Sequence, residues 1–158
     1  MPFCWIYLLP VLPASVLARD DFRTRRVGIG WLGALAVAAA VAAWQGEELR
    51  GMLLRTLCNA LLLLVLLGAL ALWFGVRHRM PPRRLFVSGF GAGDCALLLA
   101  AAPLFVPAAY VRFLLAGCLA ALVWWLCLRP RRRRTIPLAG FLALVLIGHS
   151  FCKFFGLW

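Results

Sequence analysis

Long apolar runs broken by short, arginine-rich segments leave this chain few folds to choose from. The runs cover residues 3–18, 27–44, 52–76, about 85–110, 113–128 and 136–151. A helix that crosses a bilayer needs roughly 20 mostly apolar residues, so the chain has room for about six passes with short connections. Runs on the short side are accommodated by local thinning or by flanking side chains that reach the interface. Every backbone amide in lipid must find a partner within the protein, which makes helices the expected form. No alternation of the barrel type competes with that reading, and no internal repeat stands out. Composition points the same way. Of 158 residues 65% are hydrophobic, with a mean hydropathy of +0.96, whereas a soluble domain is about 45–50% apolar. The expectation is an all-α, polytopic membrane helix bundle of about six transmembrane helices, forming a single domain over residues 1–158.

Charge supplies an orientation. Three of the intervening segments hold most of the seventeen basic residues: Arg19, Arg23, Arg25 and Arg26; then Arg77, Arg79, Arg83 and Arg84; then Arg129 and Arg131 to Arg134. The alternate segments carry Arg50 and Arg112, and Lys153 lies near the C-terminus. The positive-inside rule puts the rich segments in the cytoplasm and, with six passes, both termini outside. A net charge of +12 also raises nucleic acid as a partner. The arginines border apolar spans, however, and membrane lipid with anionic headgroups suits them better. No nucleic acid partner is expected.

The first run ends in Val16-Leu17-Ala18, which resembles a signal cleavage site, but residues 1–18 contain no Lys or Arg for the basic start of a signal peptide. It reads as a retained first helix. The six cysteines are scattered, without CxxC pairs or a Cys/His cluster, so they read as buried, inert thiols with no disulfide and no metal site. His78 reads as solvated, His149 as a polar packing residue, and Trp44, Trp124, Trp125 and Trp158 as interfacial or packing residues.

The acidic residues sharpen the reading. There are five: Asp20, Asp21, Glu47, Glu48 and Asp94. The glutamates belong to a short external loop. Asp20 and Asp21 follow the first run, and Asp94 enters the fourth from the same side of the membrane. An ionisable residue at a span is costly and marks a functional candidate. Two carboxylates at one depth that met in the bundle would resist ionising together, leaving one protonated. Such a pair activates a water and protonates a leaving amine. Each acid also has an ordinary reading by itself: Asp21 as the neutralising end of a helix among arginines, Asp94 as a helix N-cap.

Around Asp94 the chain reads Ser88-Gly89-Phe90-Gly91-Ala92-Gly93-Asp94. Glycine permits unusual backbone angles and close approach by another backbone, which an extended peptide would need. The string also fits a dinucleotide fingerprint, but no βαβ pattern surrounds it and Asp94 would repel a phosphate.

Gly91-Ala92-Gly93-Asp94, followed by Leu97-Leu98, resembles the GxGD motif of the type IV prepilin peptidases, which are membrane aspartic proteases. Asp21-Phe22-Arg23-Thr24-Arg25-Arg26-Val27 is similar to that family's first motif, an Asp followed by a basic stretch. Ile136-Pro137-Leu138 resembles the proline-containing start of its last helices. The resemblance spans nearly the whole chain in layout. It implies an aspartic endopeptidase of the bacterial inner membrane that removes the leader of prepilin-like protein substrates at the cytoplasmic face. Asp21 and Asp94 would be the catalytic pair, and Gly91 and Gly93 would shape the substrate-binding backbone beside Asp94. No metal or other cofactor is implied. Val27-Gly28-Ile29 stands where the family usually has Ile-Pro-Asn, and Ala96 where it often has Lys. The chain also has no segment with paired CxxC zinc ligands, so methyltransferase activity is not expected. Asp20 remains the rival for the first acid.

Two other classes stay open on sequence. One is a noncatalytic membrane scaffold or assembly subunit related to such peptidases. The other is a small proton-coupled transporter, although the acids lie near one face and no pair of broken helices is evident.

Overall fold

The computed structural model describes residues 4–25, 27–44, 48–78, 91–128 and 137–156. Several residues named above lie outside them: Arg26, Glu47, Arg79, Arg83, Arg84, Ser88 to Phe90, Arg129, Arg131 to Arg134, Ile136 and Trp158. The side chains of Cys4, Arg77 and His78 do too. Among the described residues the architecture is all-helical. A 3-10 turn at Cys4–Leu8 precedes α1 (Val11–Thr24), α2 (Ile29–Trp44), α3 (Leu49–His78), α4 (Ala92–Ala101), α5 (Pro107–Leu128) and α6 (Leu138–Phe154), with a second 3-10 turn, Ala102–Leu104, after α4.

Helix boundaries depart from the apolar runs in ways the backbone explains. The first run is not one helix. Pro10 closes the opening 3-10 segment and stands at the N-cap of α1, and Pro13 falls in that helix's first turn, where a missing N–H costs little. At the other end α1 does not stop at Ala18. It continues through Arg19, Asp20 and Asp21 to Thr24, and Arg25 ends it in the left-handed conformation at φ 56°. The first charged segment is therefore mostly helix.

The fourth and fifth runs divide elsewhere than expected. Their boundary lies not near Arg112 but at Phe105 and Val106, just before Pro107 opens α5. Proline at that position lacks only an N–H that would be unpaired anyway. Arg112 is thus inside α5. The break leaves carbonyls without helical partners, and Asn59 of α3 supplies them. Its buried side-chain amide donates to the carbonyls of Ala102, at 2.9 Å, and Phe105, at 2.7 Å. The Tyr110 hydroxyl, also buried, donates to the Leu98 carbonyl at 3.0 Å and ties α5 back to α4.

α6 is the centre of the bundle. It packs against α1, α4, α5 and the opening 3-10 turn, while α2 lies against α4 and α1. Leu17, Leu97, Leu98, Leu142 and Leu146 meet in the core with Phe105, Tyr110 and Phe113. α3 stands apart, touching mainly the turn after α4. Leu53, Leu54, Leu57, Leu61, Leu64 and Val65 on α3 all point outward. α3 and α5 are each long and apolar enough to cross a membrane, over Leu49–Trp73 and Pro107–Cys127; α2, α4 with its following turn, and α6 are shorter apolar helices. The cysteines correct one expectation. Cys58 and Cys127 are exposed on the outer surfaces of α3 and α5 rather than buried.

The Asn59 contact predicts a stability effect. Asn59→Leu keeps the volume but strands two buried carbonyls, and it is expected to cost about 1–3 kcal/mol. Thermal unfolding in detergent should show a clearly lowered Tm, with Leu no better than Ala. An unchanged Tm would show that the amide does not hold the break together.

Candidate active site

The last helix begins with an unmet need. The first N–H groups of any α-helix have no intrahelical acceptor. Pro137, the N-cap of α6, has no side chain able to accept a hydrogen bond from them. Acceptors must come from elsewhere, and two other helices provide them.

Asp21 is the first. In α1 the buried residues Pro13, Ala14, Leu17, Ala18 and Asp21 recur at helical spacing along one face, so Asp21 continues the stripe turned to the core. Its carboxylate accepts the Gly140 N–H at 2.7 Å, a short charge-assisted bond. Asp21 is 7% exposed. Arg25, one turn on, lies within electrostatic reach of it. The lack of a side chain at Gly140 is what admits this approach: a β-carbon there would stand 2.9 Å from the Phe22 ring and 3.2 Å from the Asp21 carboxylate. Phe22 itself packs edge-on against Phe141, with ring centroids 5.2 Å apart. Asp20 lies off the buried stripe and is only half-buried. Of the two rivals, Asp21 is the one held at α6.

Asp94 is the second. It is not the N-cap of α4; that position belongs to Gly91, with Asp94 three residues further into the first turn. Its carboxylate reaches back to the Gly91 N–H at 3.1 Å and also interacts with the backbone amide of Ala139. Ala139 and Gly140 are consecutive. Asp94 and Asp21 therefore sit on neighbouring amides of one helix terminus, within electrostatic reach of each other. Half-buried Asp94 is the more open of the two.

The glycines play parts other than the one expected from their flexibility. Gly91 has ordinary extended angles, φ −65° and ψ 143°, and is exposed beside Asp94. Gly93 makes room for Val27 from the α1–α2 connection, whose side chain would lie 2.7 Å from a β-carbon. Close approach occurs at Gly93, but from within the protein.

Sequence reasoning missed the third participant, the paired amides of Ala139 and Gly140, because backbone donors leave no mark on residue type. It also passed over Asn59, for which a signal existed: a carboxamide within an otherwise apolar window. Compared with known protein families, with curated proteins and with solved structures, the chain finds no match in any of the three.

The geometry makes a spectroscopic prediction independent of activity. In the full chain in detergent, Asp21→Asn should move the amide proton of Gly140 markedly upfield, and Asp94→Asn should move that of Ala139. Asp20→Asn should move neither. Equal responses to Asp20→Asn and Asp21→Asn would contradict the assignment.

Proposed function

We propose that this chain is a multi-pass protein of the bacterial inner membrane, crossing it six times with both termini outside. In this reading it is an aspartic endopeptidase of the prepilin peptidase kind, removing the leader of prepilin-like precursors at the cytoplasmic face. The observation that carries the proposal is that Asp21 and Asp94 come together at the start of α6, Asp21 on the Gly140 amide and Asp94 within electrostatic reach of Asp21. The membrane reading is supported by the outward-facing leucines of α3 and by the length of α3 and α5. The shorter helices would cross through local thinning of the bilayer and by flanking arginines reaching the interface.

Two carboxylates this close favour a state in which they share one proton. The ionised member takes a proton from a water, whose oxygen attacks the carbonyl carbon of the scissile peptide. The protonated member donates a hydrogen bond to the carbonyl oxygen as negative charge grows there. As the tetrahedral intermediate collapses, a carboxyl proton passes to the leaving amine and the C–N bond breaks. The more open Asp94 borders the side from which water and peptide enter. Gly91, exposed beside it, leaves room for an extended substrate backbone, and Gly93 holds that turn against Val27. The amides of Ala139 and Gly140 keep both carboxylates in position without taking part in bond breaking. The mechanism needs neither metal nor organic cofactor.

The same contacts favour one other reading, a noncatalytic scaffold in which the two acids only cap α6 and join three helices. The readings separate cleanly, because asparagine retains an acceptor oxygen and can still cap. In liposomes with a panel of prepilin-like peptides, Asp21→Asn and Asp94→Asn should each lower leader cleavage by roughly 10²–10⁴-fold, with folding preserved. Asp20→Asn should cleave near the wild-type rate. Normal cleavage by either of the first two variants would overturn the peptidase reading. Absence of product from the wild type across the whole panel would favour the scaffold.

A further inference from the structure

A second feature lies at the end of the bundle away from the aspartates. α5 and α6 run antiparallel, since Trp124 meets Phe141 near the start of α6 while Phe105 meets His149 near its end. They come closest at Gly117, where a β-carbon would collide with the Leu142 side chain. Past that contact the helices part, and a cleft of about 380 Å³ opens between them. Cavities that take small ligands run from about 300 to 1,000 Å³. From Gly140, α6 rises about 7.5 Å to Val145, the nearest lining residue, and about 18 Å to Cys152 at the far limit, so the cleft lies toward the other end of α6 and shares no residue with the acid pair.

The cleft has a distinct chemistry. Phe105 and Phe113 form its floor, stacked with ring centroids 4.7 Å apart and planes 16° from parallel. Val145 adds an apolar wall. Arg112 and His149 are the polar side chains of the lining, which contains no carboxylate among the described residues. His149 lies against Phe105 at 4.6 Å, while Arg112 is exposed, six residues into α5. Elsewhere on the two helices Leu115, Leu119 and Leu144 are exposed. A mostly apolar trough lined by a guanidinium is complementary to a chain-bearing anion. Arginine is suited to phosphate by its planar set of donors.

We infer that the α5–α6 cleft binds one acyl chain of an anionic phospholipid, with the lipid phosphate on the Arg112 guanidinium. The inference rests on the membrane reading above and is independent of the cleavage chemistry. Gly148 provides the test, because it lines the cleft and a β-carbon there meets nothing within 4 Å. Gly148→Leu therefore adds bulk to the trough from a position where the β-carbon is unobstructed. The full chain is purified in detergent, mixed with phosphatidylglycerol or phosphatidylcholine, and weighed intact by native mass spectrometry. Wild type should retain phosphatidylglycerol in preference to phosphatidylcholine, and excess inorganic phosphate should not displace it. Gly148→Leu should retain at least about tenfold less, and Ala116→Leu, which fills the same cleft from α5, should agree with it. Arg112→Gln should erase the preference between the two lipids. Lipid retention unchanged in both filling variants, or equal retention of the two lipids by wild type, would overturn the inference while leaving the membrane reading intact. Recovery of the wild-type chain in the soluble fraction of cells would overturn both.

Discussion

A helix that starts with proline cannot cap itself, and the bundle is organised around how α6 solves that problem. Its first-turn amides face inward, where water is scarce, and an unpaired buried N–H costs on the order of 1–3 kcal/mol. Asp21 from α1 supplies the missing acceptor at Gly140, and Asp94 from α4 lies near the Ala139 amide. The positive end of the α6 dipole adds roughly 0.3–1 kcal/mol for each nearby carboxylate. One terminus thus joins three helices far apart in sequence.

The surrounding packing serves this junction. Gly140 has no side chain, so Asp21 and the Phe22 ring can close on the helix; Gly93 has none, so Val27 can seat the start of α4. Further along α6, Leu142 fills the space left by Gly117, bringing α5 against the same helix. At the opposite end Asn59 binds the carbonyls released by the break between α4 and α5. Both polar junctions sit at helix ends, where backbone groups have no partner in their own helix. Between them the contacts are apolar apart from the Tyr110 hydroxyl on the Leu98 carbonyl, and α3 contributes little beyond Asn59 and its immediate surroundings.

The helical class was legible from hydropathy because apolar runs of this length permit little else. Helix ends were not, since hydropathy reports a change of surroundings and not of backbone. The helix α1 passes through Arg19, Asp20 and Asp21 because those residues continue a helix readily once their side chains have somewhere to go. The break at Phe105 and Val106 was hidden by uninterrupted apolar character, although Pro103 and Pro107 flank it and mark where helix bonding must fail. At the site, both acids could be singled out from their scarcity in a chain with five carboxylates. The resemblance around Asp21-Phe22-Arg23 favours Asp21 over Asp20, and the buried stripe of α1 is what turns Asp21 toward α6. The amides that bring the acids together could not be read from residue identity at all.

Asp21 and Asp94 are neighbours at the start of α6, and their proximity can be measured directly. With the six native cysteines replaced, cysteine pairs are introduced at 21 and 94 and, as the control, at 20 and 94. Membranes are treated with a short bifunctional thiol reagent, and linked peptides are identified by mass spectrometry. Efficient linkage of 21 to 94, with little linkage of 20 to 94, is the expected result. Failure of the 21–94 pair to link, or equal linkage of both pairs, would contradict the shared site on α6.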